Sequence, residues 1–267
     1  MTRAPLITFL SDFGRDDWFV GVVHGVIHDV CPAARVVDIT HDVPPGKLSH
    51  AAFVLEVAAP DFSAGAVHLA VVDPGVGTER RALAVRAHGQ LFVGPDNGIL
   101  EWALTDPAAE VHEITEPSYG RVPMSRTFHA RDVFGPAAAH LAAGEPLDRF
   151  GPRNSDPVRG CRPQPELKEG ELIGQVMFLD RFGNAITNLT ETARQSAGFL
   201  DGSRASFEVE AAGRVLHGLT RAYGDAPVGT LVALIGSSGR LEIAQVGGDA
   251  VERLGLGVGD EVRLRLP

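Results

Sequence analysis

Cysteine is nearly absent from this chain, with two in 267 residues. Cys31 and Cys161 stand far apart and outside any Cys-x-x-Cys spacing. That excludes a disulfide framework and a zinc knuckle, and leaves two reduced thiols as the expectation. Clusters of Lys and Arg are missing too, and the formal net charge is −10. A nucleic-acid or anionic-membrane partner needs a cationic face, so neither is expected, whereas a cationic small molecule suits the field. No apolar stretch approaches membrane-spanning length. The early run Leu6–Leu10 is too brief, and too soon followed by Asp12, to serve as a signal peptide, which makes the cytoplasm the expected compartment. Internal repeats and low-complexity tracts are also absent.

What is present is the balance of a folded protein, 44% hydrophobic and 22% charged residues, in a chain long enough for two domains. The first half alternates short apolar strands (Leu6–Leu10, Arg35–Ile39, Ala66–Val72, Ala82–Arg86, Leu91–Val93) with helical patterns. In Trp18–Val30 the residues Phe19, Val22, Val23, Val26, Ile27 and Val30 share one face, and Pro32 stops the helix. Lys47–Ala58, ended by Pro60, and Asp132–Ala143 read as further helices. Strands apolar on both sides imply a mostly parallel sheet sandwiched by helices, with ligands collecting at the strands' C-terminal ends.

From Gly151 to Gly170 periodicity disappears, and 156–170 is read as a linker between an α/β domain, 1–155, and a second domain, 171–267. Beyond it the pattern becomes period-two alternation in Leu172–Leu179, Ala205–Val209, Thr230–Ile235, Arg240–Gln245 and Glu261–Leu266. This predicts an all-β domain, closed as a small barrel to remove edge strands.

Three polar motifs fall at predicted strand or helix ends. Ser11-Asp12-Phe13-Gly14 puts a carboxylate where a ribose diol could be held, although Asp16 or Asp17 could equally make this a helix-capping turn. Its Asp-Phe-Gly string lacks every other kinase element. Asp73-Pro74-Gly75-Val76-Gly77-Thr78-Glu79-Arg80 shapes a tight loop around one carboxylate, with no Gly-Lys-Ser/Thr to make it a phosphate loop. Arg80 either braces that turn from the surface or serves a buried site. His129, in Thr127–Asp132, sits at a loop-to-helix junction outside any hydrophobic stripe, and Asp132 could simply cap the helix. His24 and His28 are four apart on a helix, but no third ligand lies within sequence reach, so no metal is expected. In the second half, Asp180–Asn184 and Gly236–Arg240 read as hairpin turns, or as polar groups for an amino group and an adenine edge.

Together with Gly94–Gly98 and Ser237–Ala244, these motifs run in an order that resembles the S-adenosyl-L-methionine hydrolase (adenosine-forming) family, also called SAM hydroxide adenosyltransferase. Fluorinase and chlorinase are its halogenating relatives. The resemblance spans nearly the whole chain. It implies an α/β N-terminal domain, a β-barrel C-terminal domain, and a homotrimer with active sites between subunits. It further implies a catalytic set of Asp73, Arg80 and His129, with no cofactor and no metal.

For the substrate S-adenosyl-L-methionine, the resemblance gives Asp12 to the ribose diol and Asp180, Ser237 and Ser238 to the amino acid moiety. Asn184 falls to the adenine, and Phe128 and Phe182 to apolar walls of the pocket. Where this chain has Asp73 and His129 the halogenases carry tyrosines, so hydrolysis by in-line attack of water on the ribose C5′ is the implied reaction. A halide-using adenosyl transferase and a non-catalytic S-adenosylmethionine or adenosine sensor are the rival readings. Two departures from the family pattern are Gly236, where many relatives have Asn, and Ala130, where hydrolases usually have Gly.

Overall fold

The computed structural model describes residues 4–198 and 207–265. They fall into two compact units that meet in sequence between Arg162 and Pro163.

The first unit is built on a six-stranded sheet of β1 (Leu6–Ser11), β2 (Arg35–Thr40), β3 (Val67–Val71), β4 (Ala82–Ala87), β5 (Gln90–Pro95) and β6 (Glu110–Glu113), in the order β2-β1-β3-β5-β4-β6. The pairs β2–β1, β1–β3 and β3–β5 are parallel, and β5–β4 and β4–β6 antiparallel. Every residue of β3 is buried. Its Val67, Leu69 and Val71 face one core with α1 (Phe19–Val30) and α3 (Gly135–Ala142), while Ala70 faces the other, on the side of α2 (Leu48–Ala58). Helices therefore cover both faces, as continuous apolar strands require. Phe9, Phe92 and Phe134 are fully buried, each contributing about 1.5–3 kcal/mol of hydrophobic stabilisation.

One register sets two of the expected site segments side by side. Ser11, the last residue of β1, pairs with Val71, the last of β3. The segments beginning at Asp12 and Asp73 thus leave the same edge of the sheet side by side, although 61 positions of sequence separate them.

Two elements differ from the sequence reading. The four-residue β6 is too short to carry a pattern. The helix expected from Asp132 instead starts as a turn of π-helix over Ala130–Phe134, before α3. Pro136 has no N–H for the Asp132 carbonyl, which accepts from Arg121 N at 2.8 Å instead, and the turn widens.

The second unit contains β7 (Glu166–Lys168), β8 (Glu171–Leu179), β9 (Ala185–Thr190), β10 (Glu208–Ala211), β11 (Arg214–His217), β12 (Leu231–Ile235), β13 (Arg240–Gln245) and β14 (Glu261–Arg265). They form one antiparallel sheet in the order β11-β10-β14-β8-β9-β13-β12, with β7 on β8, and a bridge between Thr220 and Leu234 nearly closes it into a barrel. Alternate residues such as Leu172, Val176, Val209, Ile243, Val262 and Leu264 fill its core. Two short helices, α4 (Glu191–Ser196) and α5 (Ala250–Leu254), join a unit expected to be all β. The strand expected at Ala205–Val209 begins outside the described residues and is seen from Glu208; Leu266, at the end of the last expected strand, also lies outside them.

Candidate active site

At the shared edge of β1 and β3 lies a cavity of about 250 Å³, lined by Asp12, Phe13, Phe19, Asp73, Phe128 and His129 among others. Three chain segments meet there, and two of them can do so because one position is glycine. Gly77 has a φ of +78°, and a Cβ on it would stand 2.4 Å from the Arg126 carbonyl oxygen, so only glycine lets the Asp73 loop approach the His129 loop. Across that contact Arg80 bridges the two. Its Nε donates to Asp73 Oδ1 at 2.9 Å, and its Nη2 donates both to Asp73 and, at 2.7 Å, to His129 Nδ1. The Asp73 and Arg80 side chains are 7% and 11% exposed, so this is a buried ion pair, not a turn braced from the surface. Phe134 lies under the guanidinium, 4.9 Å from ring centroid to Cζ.

Arginine only donates, so the Nδ1 of His129 must be the acceptor and the proton of the neutral ring sits on Nε2. Burial, and then the charge of Arg80, push the His129 pKa below its ordinary value; Asp73 and Asp132 oppose this more weakly. The imidazole is therefore held neutral at physiological pH.

Neighbouring motifs hold this arrangement. Asp96 accepts from Arg81 Nε at 2.6 Å and from Val158 N at 2.7 Å, and Asn97 donates to the Val72 carbonyl at 2.9 Å, fixing the chain on both sides of Asp73–Arg80. Asp132, 1% exposed, accepts from Ser125 N at 2.8 Å and from Arg131, so it pins the loop before His129 instead of capping a helix. Asp12 accepts from Gly46 N at 2.8 Å through Oδ2. Phe13, Phe19 and Phe128 form one wall, with centroids 5.2–6.1 Å apart. The sequence pattern puts Phe19 on a helix's core face, and nothing in its periodicity distinguishes a cavity wall from a core.

The other predicted residues belong to the second unit and are not among those lining this cavity. Asp180 Oδ1 accepts from Phe182 N and Asn184 N, and its Oδ2 accepts from Asn184 Nδ2, all within 2.8–2.9 Å, so the segment is a self-bonded hairpin turn. Phe182 at its tip is 79% exposed. Ser237 is exposed, and the buried hydroxyl of Ser238 has no hydrogen-bond partner.

Sequence reading missed Glu242, a carboxylate only 5% exposed, which accepts from the Tyr223 hydroxyl at 2.7 Å. Burial, and to a lesser degree the charge of Asp180, push its pKa up. It also explains Gly236: a Cβ there would fall within 1.8 Å of Glu242 Oε1, so the carboxylate fills the space of the missing side chain. Alternating as it does in a strand, Glu242 gave no signal of its own.

The chain is similar to known proteins along nearly its whole length. The SAM hydroxide adenosyltransferase N-terminal domain matches residues 7–151 and the corresponding C-terminal domain residues 174–263. The chain belongs to the SAM hydroxide adenosyltransferase family. Among similar proteins are (R)-S-adenosyl-L-methionine hydrolases of Thermus thermophilus, 44% identical over 97% of this chain and 98% of that protein, and of Salinispora arenicola, 41% identical over 99% of each. The fluorinase of Nocardia brasiliensis is more distant, 29% identical over 91% of each chain. A crystal structure of an uncharacterized conserved protein from Thermotoga maritima superposes with a TM-score of 0.90 at 36% identity, covering 97% of this chain and 99% of that one. Within the SAM hydroxide adenosyltransferase frame, the fold expected from the residues, α/β then barrel-like, is the fold found.

Proposed function

We propose that this protein hydrolyses S-adenosyl-L-methionine, in the (R) form named for its relatives, to adenosine and L-methionine, with Asp73, Arg80 and His129 as the catalytic set. The observation that carries this reading is the buried chain of hydrogen bonds Asp73–Arg80–His129 on a cavity beside Asp12.

The sulfonium is already a leaving group, so the protein's work is to place and deprotonate water. The lone pair of His129 Nδ1 is taken by Arg80, so the ring's one N–H, on Nε2, is the group that donates to the water oxygen and aims it. Asp73 Oδ1 receives one Arg80 N–H and keeps a lone pair for the water's proton. The new bond forms between the water oxygen and C5′, the C5′–S bond breaks with its electron pair going to sulfur, and the proton passes to Asp73 and on to solvent. Alignment contributes several kcal/mol and the base roughly 10²- to 10⁴-fold.

In this reading Asp12 accepts hydrogens from the ribose hydroxyls and the Phe13–Phe19–Phe128 wall covers the nucleoside. The second unit of a neighbouring subunit in a homotrimer completes the site. Its Asn184 donates to Asp180 and so presents its amide oxygen to the adenine amino group, with the exposed Phe182 ring closing over the base. Asp180, Ser237 and Ser238 receive the amino acid moiety, and Glu242, filling the place of the side chain missing at Gly236, adds a second carboxylate for its ammonium. Two free thiols and a net charge of −10 accord with a cytoplasmic enzyme acting on a small cationic substrate.

Turnover in oxygen-18 water, followed by mass spectrometry of the nucleoside, tests the reaction. Label on the 5′ oxygen of adenosine is expected. Free adenine, or 5′-halo-5′-deoxyadenosine when chloride or fluoride is present, would refute it.

A further inference from the structure

Outside the cavity, a carboxylate and two imidazoles converge at a place the proposed reaction does not use. His24 on α1, Asp38 on β2 and His41 just past β2 each offer one ligand atom, and no two of these atoms are more than 4.8 Å apart. His24 Nε2 lies 2.8 Å, and His41 Nε2 3.1 Å, from the same oxygen, Asp38 Oδ1. The sequence offered His24 only His28 as a neighbour. The fold supplies two better ones by laying β2 beside β1 under the helix.

His41 is the telling member. Its residue is 1% exposed, and its Nε2, 3.1 Å from Asp38 Oδ1, is poorly aimed for a hydrogen bond there and has no other partner. A buried ring nitrogen left this way costs free energy. Its other nitrogen, Nδ1, is 2.7 Å from Ser11 Oγ, which also accepts from Phe13 N at 3.3 Å. With the proton on Nδ1 and donated to Ser11, the Nε2 lone pair faces the Asp38 carboxylate. A cation lying off the line between them satisfies both, and an oxygen holding the far nitrogen is how metal-ligating histidines are oriented.

We propose that His24, Asp38 and His41 form a binding site for a divalent transition metal of the zinc class, through two imidazole nitrogens and one carboxylate oxygen. Two nitrogens and one oxygen select zinc-like ions over Mg²⁺ or Ca²⁺, which favour oxygen alone. Ligand distances of 2.0–2.1 Å in a tetrahedral zinc site set ligand atoms about 3.3 Å apart, and the two separations from Asp38 lie within half an ångström of that. The His24 and Asp38 side chains are 34% and 33% exposed, giving the ion an entry path and solvent its remaining positions. Binding displaces the proton that His24 shares with Asp38. The ion would tie α1 to the strand end that carries His41, next to Ser11 on β1.

The test is a calorimetric titration of the full chain, freed of metal by a chelator and carrying no affinity tag, with zinc chloride and separately with magnesium chloride. One Zn²⁺ per chain and no Mg²⁺ are expected. His41 is buried and its variants could fail to fold, so the partly exposed positions carry the comparison. His24→Ala and Asp38→Asn, shown folded by circular dichroism, should each weaken Zn²⁺ binding at least about tenfold and abolish the visible bands of bound Co²⁺. Absence of stoichiometric Zn²⁺ binding, or equal affinity in wild type and both variants, would overturn the assignment.

Discussion

Asp73 in the first unit and Glu242 in the second are both largely buried carboxylates, and they are compensated in opposite ways. Asp73 has a guanidinium across both oxygens, and that guanidinium is itself anchored to His129 and an aromatic ring. Glu242 has a tyrosine hydroxyl, and among the described residues no cation pairs with it. The first arrangement is complete within the chain and holds a fixed geometry, which suits a group that must aim water. The second leaves negative charge under-compensated next to Asp180, which suits recognition of a cation brought by the substrate. In the proposed function, preorganisation for the reaction and affinity for the ligand are thus kept in different units of the protein.

The sharpest way to break this contrast is to remove the cation that completes the first arrangement. Arg80→Met leaves Asp73 buried and unpaired, so a loss of about 3–5 kcal/mol in unfolding free energy is expected along with turnover lowered by 10²-fold or more. Denaturant melts and steady-state kinetics read the two effects. Asp73→Asn should keep the fold and the substrate, detected by calorimetry, while turnover falls roughly 10²- to 10⁴-fold. Near-normal turnover in that variant would remove Asp73 from the mechanism.

Acidity tests His129 next. Its pKa is depressed, and protonation would set a cation against Arg80 Nη2, so kcat/KM should hold steady through neutrality and fall as pH drops below 6.5, with one proton involved. An acid limb centred above 6.5 would contradict a neutral, Arg80-bound imidazole.

In the second unit the effects should be smaller and of the other kind. The Glu242 pKa is raised in the folded state, so its protonated form is favoured by folding at low pH and that stability is lost as pH climbs through the raised value. Glu242→Gln should therefore raise Tm at pH 7 by a few degrees, corresponding to about 1 kcal/mol, with little change near pH 4, while KM rises. Phe182→Ala, at a position 79% exposed, should leave Tm within about a degree and raise KM alone. A fall in kcat with unchanged KM would move Phe182 out of binding and into the reaction.

Legibility differed between the units for a physical reason. In the first, apolar strands and helical faces repeat strongly, so β1, β3, α1 and α2 could be read within a residue or two. The polar groups that interrupt those patterns, Asp12, Asp73 and His129, stood out as exceptions. In the second, short strands carry weak patterns: β7, β9 and β11 went unseen, and Glu242 passed unremarked inside the Arg240–Gln245 strand because alternation does not report which side is buried. Long-range pairings were invisible in both. Nothing at His24 announces Asp38 and His41, and nothing in Gly77 announces the Arg126 carbonyl pressed against it.

By itself the sequence determined the class of each unit, the strand ends where polar chemistry could stand, and a charge balance turned against nucleic acids, since these follow from local periodicity and composition. The tertiary structure decided the rest. Only the pairing of Ser11 with Val71 brings Asp12 beside Asp73, and only the close contact at Gly77 lets Arg80 reach His129. A hydrogen bond a few ångströms long between residues 49 positions apart is set by how the strands order themselves, which no local pattern encodes.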